Sequence, residues 1–231
     1  MTNNQQIKRN IIIAIDGPAA SGKSTLAKSI AEKMKVLYIN TGLMYRAITY
    51  KCLQAGISMD SDSSQILEII NHTKFEVNDS QIYVDGIDFS SKASSVEVES
   101  NVSVYAKLPV VRESLVARQR EIAGVCSVVM DGRDIGTVVF PYADVKIFLI
   151  ASVEARAKRR FDELLSKYPN NKISLEEIRN EICMRDKVDS ERLLSPLLKA
   201  NDAIEVDTSM LSISEMVDKV FEIILSNIHK Q

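Results

Sequence analysis

The chain has 231 residues, enough for one substantial core or one core with a small inserted lobe. Apolar residues make up 45% and charged residues 26%, a balance that excludes disordered and membrane-embedded classes. A formal net charge of −2 gives no global attraction to nucleic acid or an anionic membrane, so any phosphate binding must come from local clusters.

The amino-terminal MTNNQQIKRN is polar, and IIIAI (11–15) behind it is too short for a signal peptide or membrane span. It reads as a buried strand. GPAASGKST (17–25) follows and matches G-x-x-x-x-G-K-[ST]. Leu26, Ala27, Ile30, Ala31 and Met34 then repeat at helical spacing, so the motif has the strand–loop–helix context it requires. In such a loop Gly17 and Gly22 let the backbone wrap closely around phosphates, with Pro18, Ala19, Ala20, Ser21 and Thr25 completing the cradle. A helix starting near Lys23 adds its positive end, and Lys23 supplies a charge for the β- and γ-phosphates. Ser24 supplies a hydroxyl for the Mg²⁺ that bridges them. These residues imply a nucleoside triphosphate site.

LYIN (37–40) is a weaker strand, and Thr41 of TGLMYR (41–46) is expected to cap a helix carrying Arg46. FEVNDSQIYVDGIDF (75–89) alternates apolar and polar residues, with Asn78-Asp79 and Asp85-Gly86 as turns. This reads as an antiparallel meander inserted at roughly 61–105. Arg112 lies in PVVRESLVARQR, and the strand SVVM (127–130) runs into MDGRDIGTVVFP, which places Asp131, Arg133 and Asp134 within four positions. VKIFLI (145–150) and AIEV (203–206) are further strands. ARAKRR (155–160) sets Arg156 and Arg160 on one helix face, and KYPNNK (167–172) reads as a helical-hairpin tip. A capping box, Ser174-x-x-Glu177, opens a helix to about Asp189 that carries Arg185, with Arg192 just after it. A second box, Ser212-x-x-Glu215, opens a final helix with Met216, Val217, Val220 and Ile224 on one face.

Strands alternating with helices imply a parallel sheet covered on both faces. Cys52, Cys126 and Cys183 are odd in number and without a CxxC pair, which argues against a disulfide framework or zinc site and fits a reducing cytoplasm. His72 and His229 stand apart from other ligand types, so a histidine-based mechanism is not expected. A guanine-reading N-K-x-D is absent, because Asn171-Lys172 is followed by Ile173-Ser174. SVVMD ends Asp-Gly, without the Asp-Glu pair of many motor ATPases. The arginines suit a clamp over phosphates, since loose phosphoryl-transfer transition states spread charge over several oxygens. Two readings remain open: a P-loop small-molecule kinase, such as one acting on UMP, AMP or shikimate, or a nucleotide switch that hydrolyses ATP slowly. A switch needs only one nucleotide site, and the two acidic–arginine clusters besides the P-loop speak against it.

Taken together, GPAASGKST, TGLMYR, MDGRDIGTVVFP, RDKVDSERLLSPL and the inserted meander resemble the bacterial cytidylate kinases, over essentially the whole chain. The resemblance implies a P-loop nucleoside-monophosphate-kinase fold: a three-layer α/β/α arrangement with a five-stranded parallel sheet, a small antiparallel β insert and a helical lid. It places the core at 1–60 and 106–231, the lid within about 156–192 and the nucleotide-binding insert at 61–105. It also implies roles. Gly17 to Thr25 hold ATP, Arg156 stacks on adenine while Arg160 reaches phosphate, and Arg185 and Arg192 close from the lid onto the transferring phosphoryl group. Arg46 and Arg133 grip the CMP phosphate. Ser103, Arg112 and Asp134 read cytosine, Asp189 contacts the ribose, and Thr41 lies near the acceptor. Asp131 helps order Mg²⁺ through water. The implied reaction is Mg²⁺-dependent transfer from ATP to CMP, and to dCMP, by a cytoplasmic monomer without nucleic-acid or membrane partners.

Overall fold

The first apolar run becomes the middle of a sheet. A computed structural model describes residues 9–78, 81–89, 92–169 and 172–228. Strand β1 (Ile12–Asp16) is flanked by β6 (Val128–Gly132) and β7 (Val145–Ile150). Outside them lie β2 (Leu37–Asn40) and β8 (Ile204–Asp207), giving the order β2-β6-β1-β7-β8 with every pairing parallel. Because both faces are covered, the strands are apolar on both sides. Ile13 and Ile15 face α1 (Lys23–Met34) and α8 (Ile213–Ile228), in a core with Leu26, Ile30, Val217 and Val220. Ala14, Ile39 and Met130 face the opposite core, filled from α2 (Thr41–Gln54), α3 (Ser63–Asn71) and α5 (Pro109–Val125).

Between α3 and α5 the chain makes the antiparallel meander expected from its alternation. It consists of β3 (Phe75–Asn78), β4 (Gln81–Val84) and β5 (Ile87–Asp88), followed by α4 (Val96–Tyr105). Asp85 and Gly86 both have positive φ, 53° and 77°, as a tight two-residue hairpin turn requires. Val84, Phe89 and Tyr105 seat this segment on the α2–α3–α5 core. Asp79, Asn170, Asn171 and His229 of the sequence reading lie outside the described residues. Helices α6 (Val153–Lys167) and α7 (Leu175–Glu191) form a hairpin around Ala157, Ile178 and Ile182. Both expected capping boxes are present, at Ser174–Glu177 and Ser212–Glu215.

Two local expectations change, and one unassigned stretch takes a form. Strand β6 runs past Met130 to Gly132, so Asp131 lies inside the ladder, opposite Ile15 and Asn40. The helix cap at α2 is Asn40, whose side chain accepts the Leu43 N–H at 3.1 Å; Thr41 is the first helical residue and donates instead to the Asp131 carbonyl at 2.8 Å. Residues Ile135–Val139, unassigned from periodicity, form a single π-helical turn. All the strand ends that carry charged residues meet at the carboxyl edge of the sheet, where open parallel sheets bind ligands.

Gly17, the first residue after β1, marks how tightly this edge is built. Its φ is +151°, and a Cβ there would stand 2.4 Å from the Leu149 carbonyl oxygen. Gly17→Ala should therefore destabilise the protein by about 2–4 kcal/mol, read from the urea midpoint, because backbone rather than a flexible side chain must yield.

Candidate active site

The loop from Gly17 to Thr25 enters α1 through Gly22, held at φ 93°. Lys23 is buried, and its Nζ donates to the Pro18 carbonyl at 2.5 Å and the Ser21 hydroxyl at 3.3 Å. Burial, then the nearby Arg133 and Arg185, push its ammonium well below the ordinary lysine range, with Asp131 opposing them. Ser24 and Thr25 are exposed at the start of α1.

Ser24 donates to Asp131 Oδ2 at 2.9 Å, and Tyr38 donates to Asp131 Oδ1 at 2.9 Å. Asn40 Nδ2 reaches the Ser24 oxygen at 3.4 Å. A hydroxyl and a carboxylate are thus fixed side by side by two neighbours on β2. Both are hard oxygen donors. Among the described residues no group of three or more His, Cys, Asp or Glu side chains forms a metal cage. This is the sparse donor set that Mg²⁺ uses when phosphates and water supply its remaining ligands.

Around this point four arginines converge from four elements: Arg46 on α2, Arg133 just after β6, Arg160 on α6 and Arg185 on α7. Arg133 Nε donates to Asp189 Oδ2 at 2.7 Å. Burial pushes the Asp189 carboxyl up, but Arg133, Arg185 and Arg192 outweigh it and hold it below the ordinary range. Arg46 and Arg185 each have a buried Nε without a hydrogen-bond partner. Burial first, then Arg133 and Arg46, lower Arg185 to about 10. Burial likewise lowers Arg46, with Arg133 and Arg160 adding to it against Glu99. Cations that depress one another while leaving buried donors unbonded form a site for a polyanion.

Beside this cluster Arg112 pairs with Asp134, both side chains buried. Arg112 also donates to the Ala106 carbonyl at 3.2 Å, lies over the Tyr45 ring at 5.4 Å, and keeps an unbonded Nε. Arg192 approaches Asp134 at 3.9 Å and Asp189 at 3.7 Å, linking the two acids. Ser103 is half-buried on α4 and makes no hydrogen bond to Arg112 or Asp134.

Arg156 reaches back to the P-loop. Its guanidinium donates to Asp186 Oδ2 at 2.5 Å, the Ala19 carbonyl at 3.1 Å and the Ala151 carbonyl at 3.0 Å. Asp186 in turn accepts the Ala19 N–H at 3.2 Å. Arg156 and Asp186 thus hold the two backbone groups of one P-loop residue, Ala19, and the guanidinium is buried.

Periodicity alone missed several participants. Asp16 ends β1, and its carboxylate accepts the Ile135 N–H at 2.9 Å and the Gly136 N–H at 2.7 Å. That anchor bends the chain after Asp134 into the π-turn. The acid directly before Gly17 was the available signal. Tyr45 and Asp186 lie within TGLMYR and RDKVDSERLLSPL, whereas Tyr38 and Glu99 sit in ordinary strand and helical patterns.

A phosphate loop whose lysine faces a converging set of arginines, beside a second, buried acid–arginine pair, defines a two-substrate phosphotransferase of the P-loop kinase class. The family model described as Cytidylate kinase matches residues 13–226, and the chain belongs to that family. A cytidylate kinase from Geobacillus sp. (strain WCH70) is 51% identical over 223 residues, covering 94% of this chain and 98% of that protein. One from Bacillus subtilis (strain 168) is 47% identical over 220 residues, covering 94% and 97%. Among solved structures, an uncharacterized protein from Eubacterium ventriosum ATCC 27560 superposes with a TM-score of 0.50 at 15% identity, covering 94% of this chain and 99% of that one. This last likeness concerns the fold alone.

Asp16 gives a pH test of the anchor. Burial raises its carboxyl to about 6, against lowering by the Gly136 and Ile135 amides. The folded state then holds this proton more tightly than the unfolded chain, so the contribution of Asp16 to stability falls as pH rises from about 4 to above 6. The stability difference between wild type and Asp16→Asn should shift toward the variant by roughly 2–3 kcal/mol over that window, by urea unfolding at each pH. A pH-independent difference would remove the raised carboxyl from the account.

Proposed function

We propose that this chain transfers the γ-phosphoryl group of ATP to CMP, and to dCMP, giving ADP and the cytidine diphosphate. The observation that carries the reading is the buried Arg112–Asp134 pair beside the arginine cluster. Cytosine presents an amine donor next to a ring nitrogen and a carbonyl, and an acid with an arginine is the complementary set. Uracil sets a carbonyl against the carboxylate, and sites built on such pairing reject a partner that leaves them unmatched. Ser103, from α4, would add a hydroxyl to this set, and Asp189 would meet the ribose.

Positioning and charge neutralisation suffice for the chemistry. An anionic oxygen of CMP attacks the γ-phosphorus, the bond to the β–γ bridging oxygen breaks, and that oxygen leaves with ADP. No general base is needed, because the acceptor oxygen is already ionised. Lys23 and the loop amides hold the donor phosphates, Arg46 and Arg133 hold the acceptor phosphate, and Arg160, Arg185 and Arg192 neutralise charge on the group in transit. Ser24, with Asp131 behind it, would hold Mg²⁺, which when bound neutralises and aligns the β- and γ-phosphates. Arg156 acts on the donor side by shaping the loop at Ala19.

The segment 61–105 would close over CMP and the α6–α7 hairpin over ATP, excluding water as a competing acceptor. No helix among the described residues is long and apolar enough to cross a membrane. Three free cysteines, one of them exposed, fit a reducing cytoplasm.

Side-by-side turnover with CMP, UMP and AMP tests the assignment. Asp134→Asn should reduce the preference for CMP over UMP on the order of 100-fold, because the carboxylate that rejects uracil is gone. Lys23→Ala should lower turnover with every acceptor by a factor of about 10²–10³. Wild-type rates on UMP or AMP equal to those on CMP would refute the cytosine reading.

A further inference from the structure

Glu99 has no place in the chemistry above, yet it stands among the phosphate-seeking cations. It projects from α4 across to the α6–α7 hairpin, where Arg160 Nη2 donates to both of its oxygens at 3.1 Å. The other terminal nitrogen, Nη1, donates to Glu163 at 3.1 Å. Both ends of the Arg160 fork are therefore held by carboxylates. The field of Glu99 also reaches Arg46 and Arg185, opposing the burial that lowers both.

We propose that Glu99 is an internal counter-ion of the phosphate site, which holds Arg160 by occupying the donors that a nucleotide phosphate would take. The inference rests on the kinase reading for the identity of the nucleotide, but the phosphate chemistry stands apart from it. Arg160 serves two anions in turn, the carboxylate and then the phosphate. Glu99 acts through Arg160 and is a positioning residue.

Exposure decides that the carboxylate yields. Glu99 and Arg160 keep 34% and 28% of their side-chain surface in water, so their ion pair is of the weak, solvent-screened kind. Arg133 and Asp189, at 19% and 10%, form the more buried pair, fixed within the site. A phosphate carrying two charges and several acceptor oxygens displaces a single half-exposed carboxylate, which turns out into water. The exchange moves Arg160 from the insert to the nucleotide. A carboxylate near the bound phosphates also repels them, so its standing effect is to weaken phosphate binding.

Calorimetric titration of the whole protein with CMP, inorganic pyrophosphate and cytidine separates the possibilities, comparing wild type, Glu99→Gln and Glu99→Asp. Glu99→Gln should bind CMP and pyrophosphate about three- to tenfold more tightly, with the gain shrinking as salt is raised. Cytidine, which has no phosphate, should bind equally to all three, and Glu99→Asp should stay near wild type because it keeps the charge. CMP and pyrophosphate binding that is unchanged or weaker in Glu99→Gln overturns the proposal. The weaker result would make Glu99 a clasp of the closed form. Should CMP prove not to be the acceptor, the pyrophosphate series still decides the role of Glu99, so the two readings fail separately.

Discussion

Five cations, Lys23, Arg46, Arg133, Arg160 and Arg185, are gathered at one edge of one sheet, and the architecture around them answers the cost of doing so. Buried cations lose hydration and, brought together, repel one another, which is why Lys23 and Arg185 lie below their ordinary ranges. A fold keeps such a cluster only if something rigid holds it. Here β1, β6 and β7 supply the rigid edge, and the two apolar cores lock the helices that carry the arginines onto the faces of the sheet.

Acids then divide the work. Asp189 and Asp134 are buried and hold Arg133 and Arg112 in defined orientations, while Arg192 stands between the two acids. Asp131 is turned the other way, toward Ser24 and Tyr38. These acids neutralise part of the charge gathered there and leave the rest cationic. Arg46 and Arg185 show that residue of charge most directly, each with a buried Nε that nothing in the described protein accepts.

Much of this was legible before any coordinates. The P-loop announces itself because its chemistry demands glycines, a lysine and a hydroxyl at fixed spacing between a strand and a helix, all of them local in sequence. The meander shows in its alternation and its Asp-Gly turn, and α7 and α8 show in their capping boxes. What stayed hidden depends on distant contacts. Glu99 and Arg160 are far apart in the chain, and nothing in ESNVSVY distinguishes a site carboxylate from a solvated one. The π-turn at Ile135–Val139 arises from Asp16, over a hundred residues upstream, so no window around it carries the cause. The partners of Arg156 are hidden for a related reason: helical spacing shows which face it shares, not which oxygens reach it.

The bracket that Arg156 and Asp186 place on Ala19 bears on how such an enzyme can be altered. Because α6 contributes the arginine and α7 the acid, both helices of the hairpin are bolted to the donor loop at a single residue, Ala19. The hairpin is therefore not an interchangeable module. A chimera that borrows the hairpin of another kinase inherits a P-loop whose shape was set by different side chains, unless both residues travel with it. Recombination between distant relatives should accordingly cross over outside the stretch from Ala19 to Asp186, or keep all three positions from one parent.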